Sequence, residues 1–127
     1  ELLYKESGLQ GLSGVSNDMR TLESSDDPHA QEAIDYFCFR IRRELGGIAA
    51  ALGGIDGLVF CGGIGENSAN VRAQVCEGME WLGITLDAEK NVTHAREIST
   101  GKTRVLVIPT NEEIVIARAA AQVLETL

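Results

Sequence analysis

The residues with the clearest chemical potential lie where an apolar run, residues 58–60, meets three glycines within residues 62–65. Glycines leave backbone N–H groups uncovered and let a flat or anionic ligand approach the main chain. Asn67 has a donor and an acceptor that suit a purine edge, and Glu66 could accept a hydrogen bond from a ribose hydroxyl. The spacing fits neither a P-loop nor a dinucleotide fingerprint. From these residues alone, a ligand-binding loop and a strand-to-helix corner capped by Asn67 are equally supported.

A second segment, residues 110–113, follows an apolar run near the end of the chain. Thr110 and Glu113 have the spacing of a capping box, which predicts a structural task for Glu113. Glu112 has no such task and is predicted at the carboxyl end of a strand, where open α/β sheets bind ligands. Its carboxylate could hold Mg²⁺ directly or through water. The alternative is a solvent-facing glutamate that is favoured by the helix dipole.

A third segment is Asp18-Met19-Arg20. The Arg20 guanidinium could stack on a purine or bind phosphate, with Asp18 orienting it. The alternative is a plain surface ion pair. The two histidines, His29 and His94, lie in polar surroundings and are predicted to be surface residues, and the sequence pattern indicates no metal cluster, catalytic triad or acid/base carboxylate pair.

The elements that would position these segments alternate between helix and strand. Asp27 and Pro28 form a strong helix start, and a three-and-four apolar spacing continues from there to a glycine pair at residues 53–54. We predict a loop at residues 8–15, strands at 55–60, 81–86 and 103–108, a helix after Asn67 or Ser68, at most one helical turn in 87–96, and a last helix to about residue 124. This order predicts an α/β layer with a mixed sheet flanked by helices.

Composition narrows the class of protein. With 127 residues, 19 acidic and 11 basic side chains and a net charge of −8, the chain is predicted to be one soluble domain that binds neither nucleic acid nor membranes. No apolar run approaches the ~20 residues of a membrane span. Three cysteines without paired spacing predict small core residues in a reduced, cytoplasmic protein: Cys38, Cys61 and Cys76. Because the chain starts at Glu1 without a methionine, we expect a piece of a longer protein.

The three segments occur together and in this order in one known family. Residues 5–20, 60–68, 81–87 and 108–113 resemble the C-terminal part of acetate kinase, and the resemblance runs through the whole chain. It implies half of the ribonuclease H-like architecture of the acetate and sugar kinase, Hsp70 and actin superfamily. It implies reversible phosphorylation of acetate to acetyl phosphate by ATP with Mg²⁺. It further implies that adenosine is held by Asp18, Met19, Arg20, Gly63, Ile64, Gly65, Glu66 and Asn67, and that Glu112 is the metal-associated carboxylate.

The resemblance also predicts what this chain would not do alone. Residues 1–127 would be the C-terminal nucleotide-binding domain of a longer kinase, incomplete at its N-terminal end and forming homodimers. The family's arginines, histidine and aspartate for acetate are expected upstream, so the fragment is predicted to be inactive. Cys61 stands where the family usually has threonine and is expected to be tolerated as a small core residue. The alternatives are a non-catalytic nucleotide-binding or interaction module and part of a propionate or butyrate kinase.

Overall fold

The computed structural model describes residues 6–125, without the side chains of residues 112 and 125. Seven helices and two strands lie in this range, and no helix in it is long and apolar enough to cross a bilayer. In chain order the elements are α1 Gly8–Ser13, α2 Met19–Glu23, α3 Pro28–Leu52, β1 Gly57–Phe60, α4 Gly62–Asn67, α5 Ala69–Cys76, a 3₁₀ turn Glu80–Leu82, α6 Ala88–Val92, β2 Arg104–Val107 and α7 Glu112–Glu125.

Helix α3 is the longest element and begins and ends where its sequence signals predict. The Asp27 side chain accepts a hydrogen bond from the backbone N–H of His29 at 2.9 Å, and Pro28 occupies the first turn. Gly53 ends the helix with a left-handed backbone, φ 75°, a conformation that glycine adopts without steric cost. The predicted start and end of this helix are confirmed.

The two strands bring the predicted glycine segment and residues 110–113 to the same edge of the sheet, at the carboxyl ends of the strands. Strands β1 and β2 are parallel and in register, from Gly57 opposite Arg104 to Phe60 opposite Val107. Two isolated antiparallel bridges, Leu86 with Ser99 and Glu97 with Leu106, make the pairing of the described residues mixed. Since both strands end at the same edge, the segment from β1 to α4 and the segment from β2 to α7 start next to each other.

Two apolar clusters support this layer. One cluster joins α2, α3 and α5 and so fixes how the residues around Arg20 approach the glycine segment. The other lies under the sheet and the connection between α5 and β2. The buried members of the first cluster are Met19, Leu22, Ala30, Ala33, Ile34, Cys38, Val71 and Val75.

Residues 8–15 were predicted as a loop, and this prediction is wrong for most of the segment. Helix α1 is held by the Leu9 side chain, which packs against the first cluster, and near its end the Ser13 hydroxyl donates to Leu9 O at 2.7 Å. Gly14, with φ 66°, ends the helix. Apolar packing at one position outweighs the glycine content that suggested a loop.

Two further expectations are corrected by the structure. Residues 81–86 do not form a strand; they start as the 3₁₀ turn, which Gly83 ends with φ 79°. A Cβ at Gly83 would lie 2.9 Å from Thr103 Oγ1, so the chain passes too close to its neighbour for a larger residue. Cys38 and Cys76 are buried as expected, but Cys61 is exposed, because it lies in the junction between β1 and α4.

Candidate functional site

One wall of the site is formed by α2 and the residue before it. Asp18 caps the helix by accepting from Arg20 N at 2.9 Å, and its carboxylate also binds the Arg20 side chain, with Nε–Oδ1 at 3.2 Å and Nη2–Oδ2 at 2.7 Å. The hydrogen bond from the Arg20 side chain is the main cause that holds the pKa of Asp18 below its ordinary value. The Arg20 side chain is 84% exposed. The predicted ion pair therefore exists, and it leaves the guanidinium open to a ligand.

Met19 anchors this wall. Its side chain is only 4% exposed and packs in the first cluster with Leu22 and Ala30. Burial on this scale stabilises the position of α2 through apolar contacts. Only a small part of Met19 remains for contact with a ligand.

The opposite wall is the glycine segment, which is a helix rather than the predicted loop. Helix α4 begins directly after Cys61, and Asn67 Nδ2 donates to Gly63 O at 2.8 Å, one turn back. The next helix, α5, is capped by the Ser68 hydroxyl, which accepts from Val71 N at 3.0 Å. Of the two caps considered for that helix, Ser68 is therefore the one used. Asn67 remains exposed on α4.

Gly65 lies against the end of β1. A Cβ at this position would come within 3.4 to 3.6 Å of the backbone and side chain of Phe60. These are ordinary van der Waals distances, so α4 folds back directly on the strand that precedes it without requiring a glycine here.

The Glu66 side chain connects α4 to the segment after β2. Its Oε1 accepts three hydrogen bonds: from Gly62 N at 2.8 Å, from Thr110 N at 2.8 Å and from Thr110 Oγ1 at 3.1 Å. The backbone hydrogen bond of Thr110 is the main cause that lowers the pKa of Glu66. The structure assigns this oxygen a structural role, and a ribose contact by Glu66 stays a prediction.

The third segment begins helix α7. Asn111 Oδ1 accepts from Ile114 N at 3.0 Å, so Asn111 is the cap, and the capping box predicted for Thr110 and Glu113 is wrong. Thr110 bonds Glu66 instead, which brings this segment beside the glycine helix. Helix α7 starts at Glu112, whose side chain lies outside the described part of the structure, so its metal contact stays a prediction. No group of three or more metal-binding side chains is found among the described residues.

The two walls meet around a pocket of about 520 Å³, called here the main pocket. It joins two of the three predicted segments, Asp18-Met19-Arg20 and the glycine segment. Gly65 and Glu66 belong to α4 but do not line the pocket. The residues that line it are Asn17, Asp18, Met19, Arg20, Glu23, Gly63, Ile64, Asn67 and Ser68.

Sequence reasoning missed the contact that closes the main pocket. The Ser68 hydroxyl donates to Glu23 Oε1 at 2.5 Å, and this hydrogen bond connects α2 to the start of α5 across 45 positions of sequence. The available signal for Glu23 was its position three residues after Arg20, a spacing that puts both on one side of a helix.

Comparison with known proteins places this chain in a family. The model of the acetokinase family matches residues 1–118. The acetate kinase of Methylocella silvestris is 60% identical over 129 residues, covering 100% of this chain and 32% of the relative. That of Rhodopseudomonas palustris is 57% identical over 122 residues, covering 93% of this chain and 31% of the relative. The chain thus spans about a third of the length of these relatives.

Solved structures of similar proteins support the same family assignment. The crystal structure of Porphyromonas gingivalis acetate kinase matches with a TM-score of 0.88 and 41% identity, over 98% of this chain and 33% of that one. A propionate kinase from Francisella tularensis matches with a TM-score of 0.83 and 38% identity, over 91% of this chain and 31% of that one. These matches confirm the predicted α/β, ribonuclease H-like fold class. The chain belongs to the acetokinase family.

Proposed function

We propose that this chain is the C-terminal, nucleotide-binding part of an acetate kinase that converts ATP and acetate reversibly to ADP and acetyl phosphate. The observation that carries the proposal is the main pocket, in which Asp18 and Arg20 on α2 face Gly63, Ile64 and Asn67 on α4. These segments are separated by more than 40 residues in the chain, and the resemblance assigned both to adenosine.

The chemistry of the main pocket suits the adenosine end of the nucleotide. Two carboxylates, Asp18 and Glu23, lie there beside one guanidinium, that of Arg20. This balance disfavours the anionic phosphates and favours a neutral, flat, polar group. Arg20 would stack on the purine, with Asp18 fixing the plane of its guanidinium. The Asn67 amide would read a polar edge of the base or sugar.

Phosphoryl transfer is catalysed chiefly by positioning and by neutralising charge. In the proposal this chain binds the adenosine part of the nucleotide and thereby fixes the position of the γ-phosphate. Glu112 would hold Mg²⁺, whose chemistry is to neutralise the phosphate oxygens during transfer. A single carboxylate fits that ion, because Mg²⁺ usually keeps several waters and is bound by one or two carboxylates together with the substrate's phosphates.

The remaining parts of the proposal rest on the relatives. The residues that bind acetate would come from another part of the kinase, since this chain spans about a third of its relatives' length. We propose a cytoplasmic homodimer, as the resemblance implies. Because one of the matching structures is a propionate kinase, the rate of acyl phosphate formation from acetate, propionate and butyrate decides which acid this protein prefers.

Calorimetric titration of the natural full-length protein with ATP tests the pocket. Asn67→Ala is expected to weaken binding about fivefold, which corresponds to the loss of one hydrogen bond of roughly 1 kcal/mol. The matched control is Asn70→Ala, an exposed asparagine on α5 outside the main pocket, which should bind ATP like the unaltered protein. Equal affinity in all three would remove Asn67 from the site. No ATP binding by the unaltered protein would overturn the proposed function.

Formation of acetyl phosphate by the same protein separates an enzyme from a non-catalytic module. We expect it to form when ATP, Mg²⁺ and acetate are supplied. Tight ATP binding without any acyl phosphate would support the non-catalytic alternative.

A further inference from the structure

Arg72 is a buried cation that the proposed function does not yet use. Its side chain, on α5, is 0% exposed and is the largest of the fully buried side chains in the described residues. Burial lowers its pKa from the ordinary value. A buried guanidinium is stable only when its N–H groups have partners, and this one has five contacts: Asn91 Oδ1 at 2.7 Å, Asn91 O at 2.8 Å, Gly65 O at 2.8 Å, Glu66 O at 3.0 Å and His94 Nδ1 at 3.0 Å.

Two of these contacts hold the second wall of the main pocket. Arg72 Nη1 donates to both Gly65 O and Glu66 O, in the last turn of α4. Carbonyl groups in a last turn have no partner within their own helix. The preceding carbonyl, that of Ile64, is already paired with Ser68 N at 2.9 Å. Arg72 therefore completes the end of α4 from outside the helix.

Helix α4 needs such support. Three of its six residues are glycine, the residue with the poorest helix propensity after proline. None of its residues is fully buried, and its apolar contact with the first cluster is through the half-buried Ile64. Polar contacts therefore make a large contribution to its geometry.

The other side of the Arg72 guanidinium binds a buried part of α6. Arg72 Nε and Nη2 bind Asn91, which is itself buried and donates from Nδ2 to Ala69 O at 2.8 Å. The guanidinium thus joins the end of α4 to α6 and to the start of α5. His94 Nδ1 lies 3.0 Å from both Arg72 Nη2 and Glu66 O, and it makes one of these hydrogen bonds at a time: unprotonated it accepts from Arg72, and protonated it donates to Glu66 O.

We propose that Arg72 is a positioning residue of the nucleotide pocket: it holds the carbonyls of Gly65 and Glu66 and thereby fixes Ile64 and Asn67 on the pocket wall. This inference rests on the proposed function of the main pocket. Arg72 is absent from the residues that line the pocket, so it acts on the nucleotide only through α4.

Steady-state kinetics of the natural full-length protein test this role. In Arg72→Met, α4 loses its outer support, and we expect the KM for ATP to rise about tenfold while the KM for acetate stays unchanged. Arg72→Lys keeps the charge and can reach one of the two carbonyls, so it is expected to restore part of the ATP affinity. A merely structural role would reduce the amount of active protein and hence the apparent kcat, with both KM values unchanged.

The matched control is Thr103→Val. Thr103 is also buried, and its hydroxyl donates to Leu82 O at 2.6 Å. Leu82 packs against the cluster under the sheet, and neither residue lines the main pocket. This variant should lower the thermal unfolding temperature without changing either KM. If Arg72→Met does not fold, Arg72→Lys decides, because it keeps the buried charge.

Two failures can be told apart. An unchanged KM for ATP in Arg72→Lys and in any folded Arg72→Met would overturn the positioning role and leave the proposed function standing. An unaltered protein that neither binds ATP nor forms acetyl phosphate would overturn the proposed function and this inference with it.

Discussion

The two walls of the main pocket are held in place by opposite means. The α2 wall is anchored by buried apolar side chains, Met19 and Leu22. Its polar contacts are the local pair of Asp18 and Arg20 and one long-range hydrogen bond, from Ser68 to Glu23. The α4 wall has no buried residue in Gly62–Asn67. Ile64 is only half-buried against the first cluster, and much of the remaining support is polar and includes long-range contacts, such as Glu66 with Thr110, 44 positions away.

This difference implies two ways for the pocket to fail. Loss of apolar volume under the α2 wall leaves a cavity, which lowers the stability of the whole domain. Loss of a polar support behind the α4 wall leaves unpaired groups at one place and shifts the geometry of that wall. The first failure should chiefly reduce the amount of folded protein. The second should cost less stability and reduce the affinity of protein that is still folded.

The largest effect on stability is expected from Leu22→Ala. Leu22 is 1% exposed in the first cluster, and truncation of a buried leucine typically costs about 2–5 kcal/mol. Urea unfolding measures the loss. The control is Leu12→Ala, whose side chain is 48% exposed and whose loss should change the free energy of unfolding by less than about 0.5 kcal/mol. The folded fraction of Leu22→Ala should bind ATP nearly normally, and a large loss of affinity there would contradict the division between the walls.

The cap and the ion pair of the α2 wall could be predicted from the sequence because both are local, whereas the hydrogen bond from Ser68 to Glu23 could not. The Asp18–Arg20 pair spans two residues, and the predicted ion pair is present. It leaves the guanidinium exposed, and the ligand contact of Arg20 stays a prediction. The same holds for α3, whose cap and first turn lie within Asp27, Pro28 and His29. In both cases the partners are neighbours in the chain, so residue type and spacing suffice.

The α4 wall could not be predicted in the same way. Glycines in residues 62–65 indicated a loop, and the contacts of Glu66 with Thr110 and of Arg72 with Gly65, which support the helix, are not visible in the local pattern. Arg72 binds Asn91, 19 positions away. Nothing in the local pattern around Arg72 separates a buried guanidinium from an exposed one. The cap of α7 was misassigned to Thr110 for the same reason. The Thr110 hydroxyl donates to Glu66, 44 positions away, and Asn111 caps the helix instead.

An intermediate effect is expected from Glu66→Gln, which keeps the acceptor oxygen but removes its charge. The folded protein holds the pKa of Glu66 below its ordinary value of 4.5. A lowered pKa contributes stability that is present above the unfolded value and is lost as the pH falls through the folded value. The urea midpoint of the unaltered protein should therefore exceed that of Glu66→Gln at pH 7, and the gap should close below pH 4.5.

The control for this series is Glu32→Gln, an exposed glutamate on α3. Its urea midpoint should follow that of the unaltered protein at every pH. A gap between Glu66→Gln and the unaltered protein that stays constant down to acid pH would mean that the charge of Glu66 does not support the α4 wall.

The smallest effect on stability is expected from Asp18→Asn, which tests the α2 wall at its exposed edge. The ion pair of Asp18 with Arg20 is solvated, and exposed pairs of this kind contribute little to folding. Asparagine can still cap α2, so the urea midpoint should not change measurably. The ATP affinity should fall by about twofold, because Arg20 loses the partner that orients it. Asp26→Asn, an exposed change of the same charge outside the main pocket, should leave both quantities unaltered. If Asp18→Asn lowered stability as much as Leu22→Ala does, polar contacts would support the α2 wall as well, and the contrast between the two walls would not hold.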